Sequence, residues 1–448
     1  MPTTTRTKET VDDGDLTAAP SLVATPGLVL VQSGAGPTLR AAAIGDGLEL
    51  GRRAFAGRVL EDERVSRSHA RVAFDGDRWS VTDLGSRNGT FVDGVRVRGT
   101  VHADAPRVVR IGRSLFVPVL DVRRYERASV APRGDAVVGP TLAEVWGQIE
   151  RAARYGDALL ITGESGVGKE LAARAFHAAG PQAGGPFIAV NCAAIPEGLA
   201  ERLLFGTKRG AYSGANADAD VYVQSADGGT LFLDEVAELD VAVQAKLLRM
   251  LESKEVLALG ASRARTVSVR ICSATHDLRA AVASGRFRED LFFRVGRPEI
   301  RVPALRDRPE EIPWLVAAGL ARVRSDLTAQ AALVETCILR HWPGNVRELL
   351  GEVRRAAHEA LADNRDVVDA RDLASTAGTT FDALNVATAS CPLADRATVE
   401  QALRAASGNV TRAARALGMH RNQLRRILAK ERIDPKSLGV APGRGPDT

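Results

Sequence analysis

Two short motifs carry residues whose types and spacing suit phosphate chemistry. The segment GESGVGKE covers residues 163–170 and follows an apolar run from Ala158 to Thr162. Glycines in such a loop let backbone N–H groups approach phosphate oxygens, the N-terminus of the next helix adds a positive dipole, and Lys169 can reach the β and γ phosphates. The alternative is a glycine-rich strand-to-helix turn that binds no ligand. The pattern predicts a P-loop made of Gly163, Glu164, Ser165, Gly166, Val167, Gly168, Lys169 and Glu170.

The second motif, GGTLFLDE at residues 228–235, ends an apolar strand in two carboxylates. We expect Asp234 to hold Mg²⁺ and Glu235 to orient and polarise an attacking water, because hydrolysis needs an in-line nucleophile. The alternative is a solvated acidic strand end. Glu170 stands where many P-loops have the Ser or Thr that supplies a hydroxyl to Mg²⁺. Together the motifs predict a site that binds a nucleoside triphosphate with Mg²⁺ and hydrolyses its γ-phosphate.

The elements around these motifs indicate more than one domain. Apolar strand-like runs alternate with helical stretches from Val138 to about Leu373, which is typical of a parallel sheet covered by helices. Short alternating runs with turn dipeptides, such as Asn88-Gly89, are typical of an all-β domain. We predict domains at 28–121, 138–373 and 395–438, linkers at 122–137 and 374–394, and disordered ends at 1–27 and 439–448.

Composition excludes several classes of protein. The chain has 448 residues, 45% of them hydrophobic and 26% charged, and no apolar run reaches the ~18 residues that a membrane span needs. The N-terminus has no apolar segment after its charges, so we expect a cytosolic protein without a secretory signal. Four widely spaced cysteines argue against a zinc site or a disulfide framework and favour buried thiols: Cys192, Cys272, Cys337 and Cys391.

The net charge of +5 is concentrated near the C-terminus, where residues 396–436 hold ten Lys and Arg against three Asp and Glu. Apolar positions around Ala413 and Leu417, then Leu424 and Leu428, predict two amphipathic helices separated by Gly418. A basic helical pair is otherwise often only a solvated surface, but with this turn it indicates a helix-turn-helix that binds DNA. The candidate DNA contacts are Asn409, Thr411, His420, Arg421, Asn422, Gln423, Arg425 and Arg426.

Several longer segments carry a resemblance to a known family. GESGVGKELAARAFH, PFIAVNCAAIPE, ADGGTLFLDE, QAKLLRMLE, GRFREDLFFRV, LRDRPEEIP and HWPGNVREL occur in this order. They resemble the AAA+ ATPase domain of bacterial enhancer-binding proteins, which activate RNA polymerase carrying sigma-54. In that family Glu170 is the usual residue at its position. The C-terminal segment resembles the Fis-type domain of the same family, which binds upstream DNA as dimers.

The resemblance implies roles for four further residues. Asn191 matches the residue that restrains the catalytic glutamate, and Arg347 matches the second nucleotide sensor. Arg288 and Arg294 match arginine fingers that reach the nucleotide of a neighbouring subunit, which implies a homo-oligomer that passes from dimer to hexameric ring. The alternative for these arginines is ordinary surface ion pairing.

The loop GAYSGA resembles the family's GAFTGA loop and implies contact with sigma-54 through Gly210, Ala211, Tyr212, Ser213, Gly214 and Ala215. Its surroundings depart from the family, with Thr207 and Lys208 in place of His and Glu. The first sensor also departs, because ATHDL at 274–278 lacks one residue and places His276 where Asn is usual. These departures favour an alternative: a regulator that binds ATP and DNA but no longer engages sigma-54.

The N-terminal motifs G-R, S-x-x-H and N-G resemble a forkhead-associated (FHA) domain, a β-sandwich that binds phosphothreonine peptides. They are present as Gly51-Arg52, Ser66 to His69 and Asn88-Gly89. The resemblance implies that Arg52 and Ser66 bind the phosphate, that Arg67 or Arg87 adds donors, and that Asn88 holds the peptide backbone. His69 is expected to be structural. The alternative is a folded sandwich that has lost its ligand.

The order of these parts predicts a fold class and a function. The fold is an all-β FHA sandwich, then an α/β AAA+ domain with a helical lid, then an all-α helix-turn-helix. The function is a transcription activator that reads a phosphothreonine signal from a Ser/Thr kinase or its substrate and remodels sigma-54 RNA polymerase with ATP. A phosphopeptide adaptor would leave the P-loop and the helix-turn-helix without a role.

Overall fold

The computed structural model describes residues 24–380 apart from 35, 53–54, 56, 197 and 208–220, then residues 396–406 and Val410, Ala413, Leu428 and Ile433. The chain divides into two compact units, Met1–Gly378 and Thr379–Thr448. No helix in the described ranges is long and apolar enough to cross a membrane.

In the part of the N-terminal sandwich that the structure describes there are ten strands, and the alternating runs predicted such an all-β domain. One sheet has the order β2-β1-β10-β9-β6-β7 and the other β3-β4-β5-β8, and their paired strands are antiparallel. The strands are β1 Gly27–Ser33, β2 Gly36–Ala43, β3 Leu48–Leu50, β4 Ala70–Phe74, β5 Trp79–Asp83, β6 Thr90–Val92, β7 Val95–Arg96, β8 Thr100–Ala103, β9 Val109–Ile111 and β10 Ser114–Val119.

Strand β1 is buried on both faces. Leu28 and Leu30 belong to the core between the two sheets. Val29 and Val31 point the other way, because successive side chains of a strand alternate, and they belong to a second cluster. That cluster also contains helices from the C-terminal part of the same unit, so the outer face of this sheet is covered by the lid described below.

The segment predicted as a linker, 122–137, contains regular structure. A 3₁₀ helix spans Arg123–Tyr125, and a short hairpin pairs β11 Ala131–Arg133 with β12 Ala136–Val138. Tyr125 and Val130 are buried although the segment is rich in charge. Sequence reasoning missed this order because isolated apolar residues give no periodic pattern.

The central domain contains the parallel sheet that its sequence predicted. Five strands lie in the order β14-β15-β18-β13-β19. The strands are β13 Ala158–Thr162, β14 Phe187–Asn191, β15 Thr230–Asp234, β18 Arg270–Thr275 and β19 Glu299–Arg301, with a small antiparallel pair β16 Glu255–Val256 and β17 Arg265–Thr266. Its helices are α1 Pro140–Tyr155, α2 Lys169–Ala178, α3 Ala200–Phe205, α4 Tyr222–Ser225, α5 Val241–Ser253, α6 Leu278–Ala283 and α7 Glu289–Val295.

The helical lid follows the sheet. It consists of the 3₁₀ helices Leu305–Asp307 and Pro309–Glu311, the helices α8 Ile312–Val323, α9 Ala331–Leu339 and α10 Asn345–Ala362, and the parallel pair β20 Thr328–Ala329 and β21 Val367–Val368. Trp342 is fully buried in its core and donates from Nε1 to the carbonyl of Cys337 at 2.7 Å. Cys192, Cys272 and Cys337 are all buried and free, as expected, and Cys391 lies outside the described residues.

In the second unit, the structure describes helix α11, Arg396–Ala405. Val399 and Leu403 on this helix share an apolar cluster with Ala413, Leu428 and Ile433. The shared cluster agrees with the helical apolar positions identified from the sequence. The predicted DNA-contacting residues lie outside the described residues.

Candidate functional site

The P-loop has the backbone that its glycines allow. Gly163, Gly166 and Gly168 have φ values of +152°, +75° and +105°, a region that other residues rarely adopt. A Cβ at Gly166 would stand 2.2 Å from the carbonyl oxygen of Gly344, so this position also lets the lid approach closely. The loop connects β13 to α2, whose first N–H groups have no partner within the helix. This arrangement can receive phosphate oxygens.

The side chain of Lys169, in the first predicted motif, contacts a carboxylate of the second. Its side chain is 8% exposed, and Nζ donates to the carbonyl of Gly163 at 3.0 Å. Nζ also lies 3.4 Å from Oε1 of Glu235. The structure therefore brings together the amine and the carboxylate that the sequence assigned to one site.

The acidic pair stands at the carboxyl end of β15. Burial raises the pKa of Asp234, and the positive charge of Lys169 opposes that rise. Glu235 has φ +51°, a left-handed backbone that is uncommon outside glycine and that recurs at functional sites. A half-buried carboxylate beside a phosphate loop is a chemically suitable ligand for Mg²⁺.

Asn191 ends the neighbouring strand β14, in register with Asp234. Its side-chain oxygen accepts from the backbone N–H of Ala193 at 3.0 Å, while Glu235 is paired with Lys169. The restraint of Glu235 by Asn191 stays a prediction.

The lid contributes contacts to the P-loop that sequence reasoning missed. Arg306 forms a two-point ion pair with Glu164, at 2.6 and 2.9 Å. Asn345 donates from Nδ2 to Glu164 at 3.1 Å and to the carbonyl of Ser165 at 3.0 Å. Arg347, predicted as a sensor, donates to the hydroxyl of Ser165 at 3.3 Å. The lid is thus bonded directly to the loop.

A buried ion pair fixes the other side of the loop. Arg308 bonds Glu311 at 2.8 Å and donates to the carbonyl of Val167 at 2.8 Å. Burial raises the pKa of Glu311 to about 7, although Arg308 acts in the opposite direction. Glu311 also accepts from the N–H of Gly139 at 2.8 Å, which ties the start of α1 to the lid. The sequence signal was the segment LRDRPEEIP, which carried the family resemblance without a role for these residues.

These groups surround a cleft of about 700 Å³. The P-loop, Asn191, Asp234, Glu235 and Arg347 line its polar part. Apolar side chains line the rest: Ala136, Val137, Leu142, Trp146, Leu315, Val346 and Leu350. The cleft therefore combines a phosphate loop and an apolar wall, with an acidic pair beside the loop.

Arg288 and Arg294 lie elsewhere. Arg288 is paired with Asp290 at 2.6 Å, and Arg294 donates to the carbonyl of Leu251 at 3.4 Å. Neither residue lines the cleft of its own chain. Their role toward a neighbouring subunit stays a prediction.

The sandwich brings Arg52, Ser66 and Asn88 to one loop cluster. Arg52 donates to the carbonyls of Val65 at 3.0 Å and Glu63 at 2.8 Å. Asn88 donates to the carbonyl of Arg64 at 2.6 Å, and the hydroxyl of Ser66 accepts from the N–H of Arg87 at 3.3 Å. The Arg67 side chain is exposed. The predicted phosphopeptide residues therefore border one surface.

Two neighbouring residues hold this surface in shape. His69 is fully buried, accepts at Nδ1 from the N–H of Ser66 and lies 3.2 Å at Nε2 from the carbonyl of Gly89, which confirms its structural role. A Cβ at Gly51 would stand 2.0 Å from the carbonyl oxygen of Arg67. The glycine of the G-R motif therefore lets the end of β3 approach the loop that precedes β4.

Comparison with known proteins identifies the family. Residues 48–114 match the family model of the FHA domain, 137–301 that of the Sigma-54 interaction domain, and 392–430 that of the bacterial regulatory proteins of the Fis family. The response regulator protein PilR of Pseudomonas aeruginosa is 40% identical over 72% of this chain and 75% of its own. The chain belongs to the sigma-54 enhancer-binding transcriptional regulators. This confirms the predicted resemblance and the order of the three folds.

Two further similar proteins agree with this assignment. The hydrogenase transcriptional regulatory protein HoxA of Bradyrhizobium diazoefficiens is 40% identical over 68% of this chain and 67% of its own. The crystal structure of NtrX from Brucella abortus in complex with ATP is 33% identical over 69% of this chain and 70% of its own, with a TM-score of 0.52. The loop predicted to contact sigma-54, residues 210–215, lies outside the described residues.

The ion pair of Glu164 with Arg306 should make the free energy of unfolding depend on pH. Hydrogen bonds from Arg306 lower the pKa of Glu164 from its ordinary 4.5 to about 2, against the opposing effect of burial. A carboxylate whose folded pKa is depressed stabilises the fold above its unfolded pKa, and this stabilisation disappears as the pH falls toward the folded pKa. The deficit in unfolding free energy of Glu164→Gln, measured with urea, should therefore be largest near neutral pH and shrink between about pH 4.5 and 2.

The exposed pair of Glu150 with Arg133 provides the control, since Glu150→Gln removes a carboxylate that is 41% exposed. That variant should show little deficit at any pH. A Glu164→Gln deficit that stays constant from neutral to acid pH would contradict a role for the charge.

Proposed function

We propose that the chain is an ATPase that activates transcription by sigma-54 RNA polymerase from upstream DNA. The observation that carries the proposal is the cleft in which Lys169 lies 3.4 Å from Glu235, beside a P-loop held by the lid. Membership of the enhancer-binding family and the likeness to NtrX, a protein crystallised with ATP, support this use of the cleft.

Each residue of the cleft has a role that its position suits. The P-loop backbone and Lys169 bind the phosphates, and Arg347 extends from the lid toward Ser165 to sense the bound nucleotide. Asp234 would hold Mg²⁺, which supplies charge neutralisation at the phosphates when bound. Glu235 orients the attacking water and accepts its proton, which requires that Lys169 turn from Glu235 toward the phosphates.

Hydrolysis in this proposal is completed by a second subunit. Arg288 and Arg294 lie outside the cleft of their own chain, as residues that act on a neighbour's nucleotide would. Such an arginine is worth roughly 10³ to 10⁵ in rate, so the dimer would be slow and the ring active. The loop Gly210–Ala215 then transmits the nucleotide state to sigma-54, and residues 409–426 hold the ring's subunits on DNA.

Two substitutions test the nucleotide site. Lys169→Ala should lose nucleotide binding, because it removes the buried amine at the phosphate loop. Glu235→Gln should still bind nucleotide but turn over about 10²- to 10⁴-fold more slowly, because it lacks the general base. Equilibrium binding of a fluorescent ATP analogue and steady-state phosphate release measure the two effects separately.

The matched controls are Lys254→Ala and Glu238→Gln, since both residues are partly exposed and neither lines the cleft. Both controls should behave as the wild type. Normal turnover by either Lys169→Ala or Glu235→Gln would show that the site is assigned to the wrong residues.

The N-terminal sandwich in this proposal recognises phosphothreonine. Arg52 and Ser66 border the surface formed by the loops at 63–67 and 87–89, where charged and hydroxyl donors suit a phosphate. A threonine phosphorylated by a kinase would then bind at the sandwich, and the ATPase domain would respond to this binding.

The phosphopeptide assignment is tested with the full chain and a phosphothreonine peptide library, with the unphosphorylated library as reference. Ser66→Ala should weaken binding about tenfold or more, since a hydrogen bond to a charged group contributes ~1.5 to 3 kcal/mol. Arg52→Ala should weaken it further, and Arg78→Ala, at an exposed arginine paired with Asp104, should not. Equal retention of the phosphorylated and unphosphorylated libraries by the wild type would indicate a sandwich without this ligand.

A further inference from the structure

The sandwich and the lid share one hydrophobic core. Val29, Val31 and Leu115 from the outer face of the first sheet are buried in the cluster that contains Leu315 and Val316 of α8. Side chains of the same strands that point inward fill the separate core between the two sheets. The sandwich is therefore attached to the lid by an apolar face that would otherwise be exposed to water.

Arg107 caps a helix of the lid. Its guanidinium donates from Nη1 to the carbonyl of Leu339 at 2.6 Å and from Nη2 to that of Ile338 at 2.8 Å. These are the last residues of α9, whose final carbonyls have no partner within the helix. A positive charge at a helix C-terminus is also favoured by the helix dipole. Burial lowers the pKa of Arg107, as expected of a guanidinium within an interface.

Arg110 makes the second polar contact. Its Nε lies 2.6 Å from Oε2 of Glu335 in α9, and the two side chains are only 19% and 6% exposed. The guanidinium also lies 3.8 Å from the centre of the Phe91 ring. Breaking a pair this buried is costly, because the remaining charge stays desolvated.

Strand β6 joins these contacts to the phosphopeptide surface. Asn88 and Gly89 precede its first residue, and Phe91 at its middle lies under Arg110. Asp93, immediately after its end, accepts from the N–H groups of Arg107 and Val108, both at 2.9 Å. One three-residue strand thus runs from the loop at 87–89 to both arginines that face the lid.

On the lid side, a short segment of chain connects the end of α9 to residues that contact the P-loop. After α9 ends at Leu339, the chain passes the buried Trp342 and reaches Asn345, which bonds Glu164 and Ser165. Arg347 lies two residues further on, in the first turn of α10, and also bonds Ser165. A displacement of the end of α9 would therefore shift Asn345 and Arg347 and change their hydrogen bonds to the P-loop.

We propose that Arg107 and Arg110 are positioning residues through which the docked sandwich holds Asn345 and Arg347 against the P-loop. The phosphopeptide surface and the nucleotide cleft are then coupled, and occupancy of either changes affinity at the other by the same factor. The inference concerns how the proposed ATPase is controlled, and it rests on the proposed function for its nucleotide and phosphopeptide readouts but not for deuterium uptake.

A charge exchange across the interface tests the proposal in the full chain. Arg107→Ala, Arg110→Glu and Glu335→Arg should each weaken binding of a fluorescent ATP analogue by about fivefold or more. Each should also raise deuterium uptake in peptides covering 163–168 and 340–348 without nucleotide. The double variant Arg110→Glu with Glu335→Arg should recover most of both losses, because it restores opposite charges. Arg78→Glu, at an arginine 51% exposed on the other sheet, is the control and should match the wild type.

The phosphothreonine peptide library tests the coupling itself. Adding it to the wild type should shift the affinity for the ATP analogue, and Arg110→Glu should abolish that shift. Deuterium uptake in the single variants equal to that of Arg78→Glu, or a charge exchange that recovers nothing, would overturn the positioning role. A wild type that binds no ATP analogue would refute the proposed ATPase, while deuterium uptake would still decide whether the sandwich positions the P-loop.

Discussion

The closure of the P-loop against the lid at Gly166 is the constraint on which the rest of the structure depends. The two backbones approach so closely there that a Cβ would meet the carbonyl oxygen of Gly344 at 2.2 Å. Around this contact, Glu164 bonds Arg306 and Asn345, and Arg308 bonds the carbonyl of Val167. Because these bonds hold the P-loop on both sides, its conformation cannot change unless the lid moves with it.

The same constraint extends to the N-terminal sandwich. The lid holds the P-loop on one side and the sandwich on the other, because α9 both ends near the Asn345 segment and contacts Arg107 and Arg110. In the proposed function the sandwich is the sensor, and at this position it does not need to reach the cleft, because the lid lies between the two. Buried charges make both contacts specific: Arg308 bonds Glu311 and the carbonyl of Val167, Arg110 bonds Glu335, and each would be costly to leave unpaired.

How far the sequence predicts the site depends on how local its signals are. The P-loop, the Asp234-Glu235 strand end and the G-R and N-G motifs are short segments, and the structure brings the members of each to one place. Arg306 with Glu164 and Arg110 with Glu335 are separated by 142 and 225 residues, and no local pattern indicates such pairs. The run LVLV in β1 did carry a signal, because four consecutive apolar residues indicate a strand that is covered on both faces, and all four are buried. The sequence does not indicate which residues cover the second face.

Formation of open complexes by sigma-54 holoenzyme tests the central claim most directly. The purified full chain would be added with ATP or a non-hydrolysable analogue to holoenzyme on duplex and on premelted promoter DNA. The account predicts open complexes on duplex DNA with ATP but not with the analogue, because strand opening is driven by hydrolysis at the cleft. ATP turnover without open complexes on duplex DNA, where a control activator succeeds, would contradict it and favour a DNA-binding regulator that no longer engages sigma-54.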